Sequence, residues 1–73
     1  MQTLIFNTNK KTLQLLSGAR GESKILETFD RITTVKILVN CYEAIQIPLE
    51  PHLKPMPVLR LPVSNTNMII ENE

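Results

Sequence analysis

His52 and Cys41 are the side chains in this sequence best suited to chemistry at neutral pH. Each is the sole residue of its type. Histidine titrates near neutrality and can act as a general acid or base when a partner positions it. A cysteine close to such a histidine could serve as a nucleophile. Cys41, however, lies in an apolar run beside Val39 and reads as a small buried hydrophobe. His52 lies in a proline-rich stretch between Pro51 and Leu53. Ser17, Ser23 and Ser64 lack the Gly-x-Ser-x-Gly setting of an activated serine. A zinc site would need Cys41, His52 and two carboxylates at spacings the sequence does not offer. The pairs Glu27/Asp30 and Glu71/Glu73 do not resemble a calcium loop. The expectation is therefore no catalytic residue, no metal and no cofactor. The segment Gly18-Ala19-Arg20-Gly21 could cradle an anion on turn N–H groups. It lacks the rest of a phosphate-binding loop, and reads as an exposed turn.

Basic residues suggest a second chemistry. Lys10, Lys11, Arg20, Lys24, Arg31 and Lys36 all fall in the first half of the chain. Gathered on one face, they would contact phosphates and bind nucleic acid in a salt-sensitive way. Tyr42, on the polar parity of the central segment, would be the stacking platform. Aromatic content is low, with Phe6, Phe29 and Tyr42 the whole complement. The two phenylalanines sit within apolar patterns and read as core. Nucleic-acid binding is accordingly the alternative reading.

Size constrains the elements that must hold these side chains. A chain of 73 residues and 8.3 kDa forms a single domain, 1–73. Its folded surface should be about 4,600 Å² against about 12,000 Å² extended, a burial of only about 60%. With one cysteine, no internal disulfide can supplement that core. Another chain is the expected source of extra stability, and self-association the expected outcome. The net charge is +1, divided between +3 over residues 1–36 and −2 over 37–73. No charged leader precedes a long apolar run, and no stretch is long enough to span a bilayer. A lone cysteine suits a reducing compartment. The expectation is a small cytoplasmic protein without a membrane partner.

The central segment Thr34–Ile47, TVKILVNCYEAIQI, has the strongest pattern. Val35, Ile37, Val39, Cys41, Ile45 and Ile47 share one parity, as on a sheet with one buried face. Glu43 is the charge on that parity and a candidate bulge. A straight strand from Val35 to Ile47 would span about 43 Å, whereas a domain this size is about 29 Å across. It must bend, break near Asn40-Cys41, or project to pair with another chain. On this parity Ile37→Asp should be severe and Lys36→Asp mild.

Shorter elements surround it. Gln2–Asn7 and Thr12–Ser17 read as a hairpin about the turn 8–11. Over 22–32, Ile25, Leu26, Phe29 and Ile32 fall on a helical stripe with Ser23 as N-cap and Glu27 four residues before Arg31. The competing strand would place Glu27 among apolar residues. Residues 48–57 carry four of the five prolines and read as an extended loop crossing the sheet end, with Leu49, Leu53 and Met56 as apolar anchors. A closing hairpin is expected between about 58–63 and 67–71. These pieces predict a mainly β domain, a small bent antiparallel sheet or partly open barrel, with at most one short helix. The function that fits best is a non-catalytic protein-interaction or regulatory module that self-associates through its sheet. Lys36, Tyr42, Leu49 and Met56 are the candidate contacts with a protein partner, another copy of the chain.

Overall fold

The computed structural model describes residues 1–19, 21 and 24–72. Arg20 and Ser23, and with them the anion-cradle and N-cap expectations, lie outside the described residues, as does Glu73. The described residues form seven strands and contain no helix. These are β1 (Gln2–Asn7), β2 (Thr12–Leu16), β3 (Ile25–Phe29), β4 (Ile32–Ile37), β5 (Cys41–Gln46), β6 (Met56–Pro62) and β7 (Thr66–Glu71). They make two sheets, ordered β3-β2-β1-β7 and β4-β5-β6. The mainly β expectation holds, without a closed barrel and without the short helix.

Four hairpin pairings are antiparallel, while β1 and β7 run parallel, in register from Gln2↔Thr66 to Asn7↔Glu71. The geometry explains this. The chain reverses after every strand, and an odd number of alternating strands leaves the first and last pointing the same way. Two of the reversals are arches that carry the chain between sheets. Asp30-Arg31 links β3 to β4, and Arg31 adopts φ 56° to make the corner. The Ile32 N–H donates to the Lys11 carbonyl (2.8 Å), tying this arch to the β1–β2 turn. Val63–Asn65 links β6 to β7, with Asn65 at φ 70°, a backbone region Asn tolerates better than most residues. At this second arch the Gln2 N–H donates to the Asn65 carbonyl (2.8 Å).

The core lies between the two sheets. Leu4, Phe6, Leu13 and Leu15 from the larger sheet meet Ile32, Tyr42 and Ala44 from the smaller. Phe29, Val35, Leu59, Leu61 and Met68 pack around them, half-buried. β1 is buried on both faces from Thr3 to Asn7, because it runs inside the four-stranded sheet. Its buried polar groups have partners. The Thr3 hydroxyl donates to the Gly18 carbonyl (2.6 Å), and the Asn7 side-chain oxygen accepts from the N–H groups of Asn9 and Lys10 (3.1 and 2.9 Å). The second arrangement caps the β1–β2 turn, which ends on Lys11 at φ 57°.

Several expectations need correction. Residues 25–29 are a strand, and the helical stripe does not form. Phe29 and Ile32 belong to different sheets, separated by the Asp30-Arg31 arch, so their spacing of three reflects a corner. The Glu27–Arg31 helix pairing is absent, and Arg31 pairs with Asp30 at 3.3 Å. The segment 34–47 breaks at Leu38–Asn40 into an antiparallel hairpin, β4 with β5. Its register pairs Val35 with Ala44, Lys36 with Glu43 and Ile37 with Tyr42. Across this hairpin an odd-numbered residue faces the same side as an even-numbered one. The inward set is therefore Val35 and Ile37 on β4, but Tyr42 and Ala44 on β5. Tyr42 is 9% exposed and Ala44 2%, whereas Ile37, at the strand end beyond the core, is 68% exposed. The expected severity of Ile37→Asp is overturned. Val39 sits on the hairpin tip, fully exposed. Glu43 points outward, and the irregularity expected there falls one step on, between Ala44 and Ile45. The closing hairpin does not pair as expected either, since β7 joins β1 in the opposite sheet.

The long axis of the molecule is 39 Å, and its surface is 5,052 Å², roughly a tenth more than the scaling value of about 4,600 Å².

Candidate interaction surface

The strand directions define two ends. One end gathers the Leu38–Asn40 tip, the Val63–Asn65 arch, the start of β1, the end of β2 and the start of β3. The Val63 N–H donates to the Asn40 carbonyl (3.4 Å), and the Ser17 N–H to the Lys24 carbonyl (3.0 Å). The other end gathers the β1–β2 turn, the Asp30-Arg31 arch, the end of β7 and the proline-rich loop. At that end Thr8 donates its N–H to the Glu71 carbonyl (2.8 Å), and Ile47 to the Arg31 carbonyl (2.8 Å).

The residues singled out for chemistry are kept apart. Cys41 opens β5, half-buried on the outer face opposite Pro62. His52 lies in the loop beyond the far end of β5, exposed, 3.4 Å from Glu50. The length of β5, about 17 Å, separates them. Among the described residues no group of three or more His, Cys, Asp or Glu is placed to hold a metal. A depression of about 240 Å³ lies on the outer face of the larger sheet, lined by Ile5, Asn7, Lys10, Thr12, Gln14, Thr28 and Glu71. It holds amide, hydroxyl, ammonium and carboxylate groups and no thiol or imidazole.

The basic residues divide between the two ends. Lys10, Lys11 and Arg31 stand at the turn-and-arch end, with Lys24 at the opposite end. Lys36 stands on the outer face of the smaller sheet, directly across from Glu43. Arg31 is committed to the fold, since its Nε donates to the Ile47 carbonyl (3.2 Å). Arg60, on the far side of Glu43, donates from Nε to Glu43 Oε2 at 3.0 Å. Lys36 and Arg60 thus flank one carboxylate in a cross-strand row. Tyr42 faces the core, which corrects its assignment both as a stacking platform and as an interface anchor.

Leu49 and Met56 are 80% and 66% exposed and Leu53 is 51% exposed, so the proline-rich loop does not lay its apolar side chains on the core. Prolines at 48, 51, 55 and 57 fix φ and remove N–H donors. The stretch includes a turn in which Leu53 donates to the Glu50 carbonyl (3.1 Å). Of the predicted contacts, Lys36, Leu49 and Met56 are exposed.

No protein-family model, curated protein or solved structure matches this chain. No helix among the described residues is long and apolar enough to cross a membrane.

Other large apolar side chains are exposed near the tip. Strands β3 and β4 are the sheet edges on one side of the sandwich and are not hydrogen-bonded to each other. The tip-side end of that flank carries Ile25 (56% exposed), Leu26 (50%), Ile37 (68%), Leu38 (44%) and Val39 (103%). Isolated exposed apolar residues are ordinary, whereas three in succession at the end of one strand, as at Ile37, Leu38 and Val39, are less so. Sequence parity assigned Ile37 and Val39 to the core. The available signal was the two-residue break Val39-Asn40, which turns an apolar run into a protruding tip.

Proposed function

We propose that this domain is a non-catalytic protein-interaction module that self-associates through its sheet. The reading rests on one observation, the exposed apolar side chains of Ile37, Leu38 and Val39 at the end of the open-edged strand β4. Water contact at these side chains costs free energy that a partner would recover at about 25 cal/mol per Å² of apolar surface covered. The open edges add backbone groups suited to strand addition. The small core supports the same reading, because association extends it.

Sedimentation velocity at micromolar and submicromolar concentration tests the proposal. A dimer that dissociates on dilution is the expected result. A monomer across the range, together with no partner retained on the immobilised domain, would refute it.

A further inference from the structure

We infer that the partner is a second copy of the chain and that the contact is β4 paired antiparallel with β4 about a two-fold axis at Val35. The inference rests on the self-association proposed above and names its edge.

Four strands have an open edge, and they differ in how far pairing is obstructed. β6 carries Pro57 and Pro62, which lack N–H donors. β3 has five residues, a register shift between Leu15 and Leu16 in its pairing with β2, and Glu27 on its inward parity. Short length, irregular pairing and inward-pointing charge all blunt an edge. β7 carries no proline, but exposes Ile70 alone among its large apolar side chains. β4 has its irregularity confined to its start, between Ile32 and Thr34, and leaves 34–37 regular. It also leads directly into Ile37, Leu38 and Val39.

The backbone of β4 is oriented for this role. The Leu38 N–H donates to the Cys41 carbonyl (2.8 Å). In an antiparallel ladder, bonded and non-bonded pairs alternate. Pairs 36/43 and 34/45 therefore exchange bonds, while 35/44 and 37/42 do not. The N–H and C=O of Val35 and Ile37 consequently point away from β5, toward the open edge. Two copies centred on Val35 exchange both Val35 bonds. Each Ile37 then lies opposite Thr33 of the other copy, and each Lys36 opposite Thr34.

Charge excludes the register one residue later. Centring the axis one residue later would set Lys36 against Lys36, and like charges directly opposite destabilise a sheet. Centring on Val35 keeps the two ammonium groups apart and continues the three-stranded sheet into one of six strands. It also brings each exposed Ile37 beside the inward face of the other copy.

Three variants of the full chain test the pairing by sedimentation equilibrium, with circular dichroism to monitor the fold. Ile37→Pro removes an N–H that points to the open edge at an exposed position, so the fold should persist and the dimer should be lost. Thr34→Glu sets a carboxylate opposite each Lys36 of the other copy, and should tighten the dimer by about 2- to 30-fold for the two pairs together. Thr34→Lys should weaken it by a similar factor. A dimer that withstands Ile37→Pro, or one that Thr34→Glu does not tighten, overturns the β4 contact while leaving self-association standing. In the β1–β7 ladder the Asn65 and Glu71 carbonyls accept from Gln2 and Thr8, which turns the backbone groups of odd-numbered β7 residues toward β1 and those of Ile70 to the open edge. Loss of that surviving dimer on Ile70→Pro would therefore move the contact to β7. A wild-type monomer at all concentrations overturns the contact and the self-association reading together.

Discussion

Placing a carboxylate at two positions of the β4–β5 hairpin gives a direct test of which side chains face inward. At about 0.05–0.15 kcal/mol per residue, a chain of 73 residues has a stability of about 4–11 kcal/mol. Ala44 is 2% exposed and packs among Leu4, Phe6, Leu13 and Tyr42. Ala44→Asp adds volume to a filled site, at about 1–3 kcal/mol, and buries a carboxyl group without a partner, at about 3 kcal/mol or more. The sum approaches or exceeds the stability of the domain. Ile37 is 68% exposed, so about a third of its burial free energy is at stake, about 0.5–1 kcal/mol. Urea unfolding followed by circular dichroism separates the two outcomes. It should be run at submicromolar concentration, where association adds little to stability. With a slope of about 1–2 kcal/mol per molar, Ile37→Asp should move the midpoint by less than about 1 M. Ala44→Asp should move it by about 2 M or more, or leave no cooperative transition. The reverse order, with Ile37→Asp unfolding the protein and Ala44→Asp tolerated, would mean that residues 35–47 bury a single odd-numbered face. The β4–β5 hairpin would then be refuted.

Three further outcomes follow from other features. Lys11→Gly should raise stability by about 0.5–1 kcal/mol in the same assay, because Lys11 holds φ 57° and glycine adopts that region without the side-chain clash. Thr3→Val should lower stability by about 1–2 kcal/mol, since it removes the hydroxyl that donates to the Gly18 carbonyl at 2.6 Å. Fluorescence anisotropy with short oligonucleotides at about 50 mM salt, where phosphate contacts are strong, should show no saturable binding. Lys24 stands at the opposite end of the strands from Lys10 and Lys11, and Arg31 is held by Ile47 and Asp30. Saturable binding that weakens with salt would restore the nucleic-acid alternative.

The sequence was informative where structure is local. The β1–β2 hairpin was legible because its alternation and its Asn-rich turn lie within one short stretch. The turn at Ser64-Asn65 was legible for the same reason. Its pairing was not, because a turn specifies reversal and not which sheet receives the next strand. β7 pairs with a strand more than sixty residues earlier, at Gln2↔Thr66, and no local signal records that distance. The helical stripe at 25, 26, 29 and 32 misled because periodicity assumes one continuous element. The β-branched residues Ile25, Thr28, Ile32, Thr33 and Thr34 favoured strands throughout. The segment 34–47 misled in a related way. Its alternation was real, but the two-residue loop Val39-Asn40 exchanged odd for even, so the apolar run never formed one face. The candidate surface was obscured by the same exchange, which assigned Val39 to the interior and Tyr42 to solvent.

The parallel pairing of β1 with β7 also governs how the domain bears load. Gln2 starts β1 beside Thr66, and Asn7 ends it beside Glu71, so the polypeptide enters at one pole and leaves at the other. Tension applied through the two termini would slide these strands lengthwise against each other. Every rung of that ladder would resist together, in shear, whereas an adjacent antiparallel hairpin pulled from its open end would unzip one rung at a time.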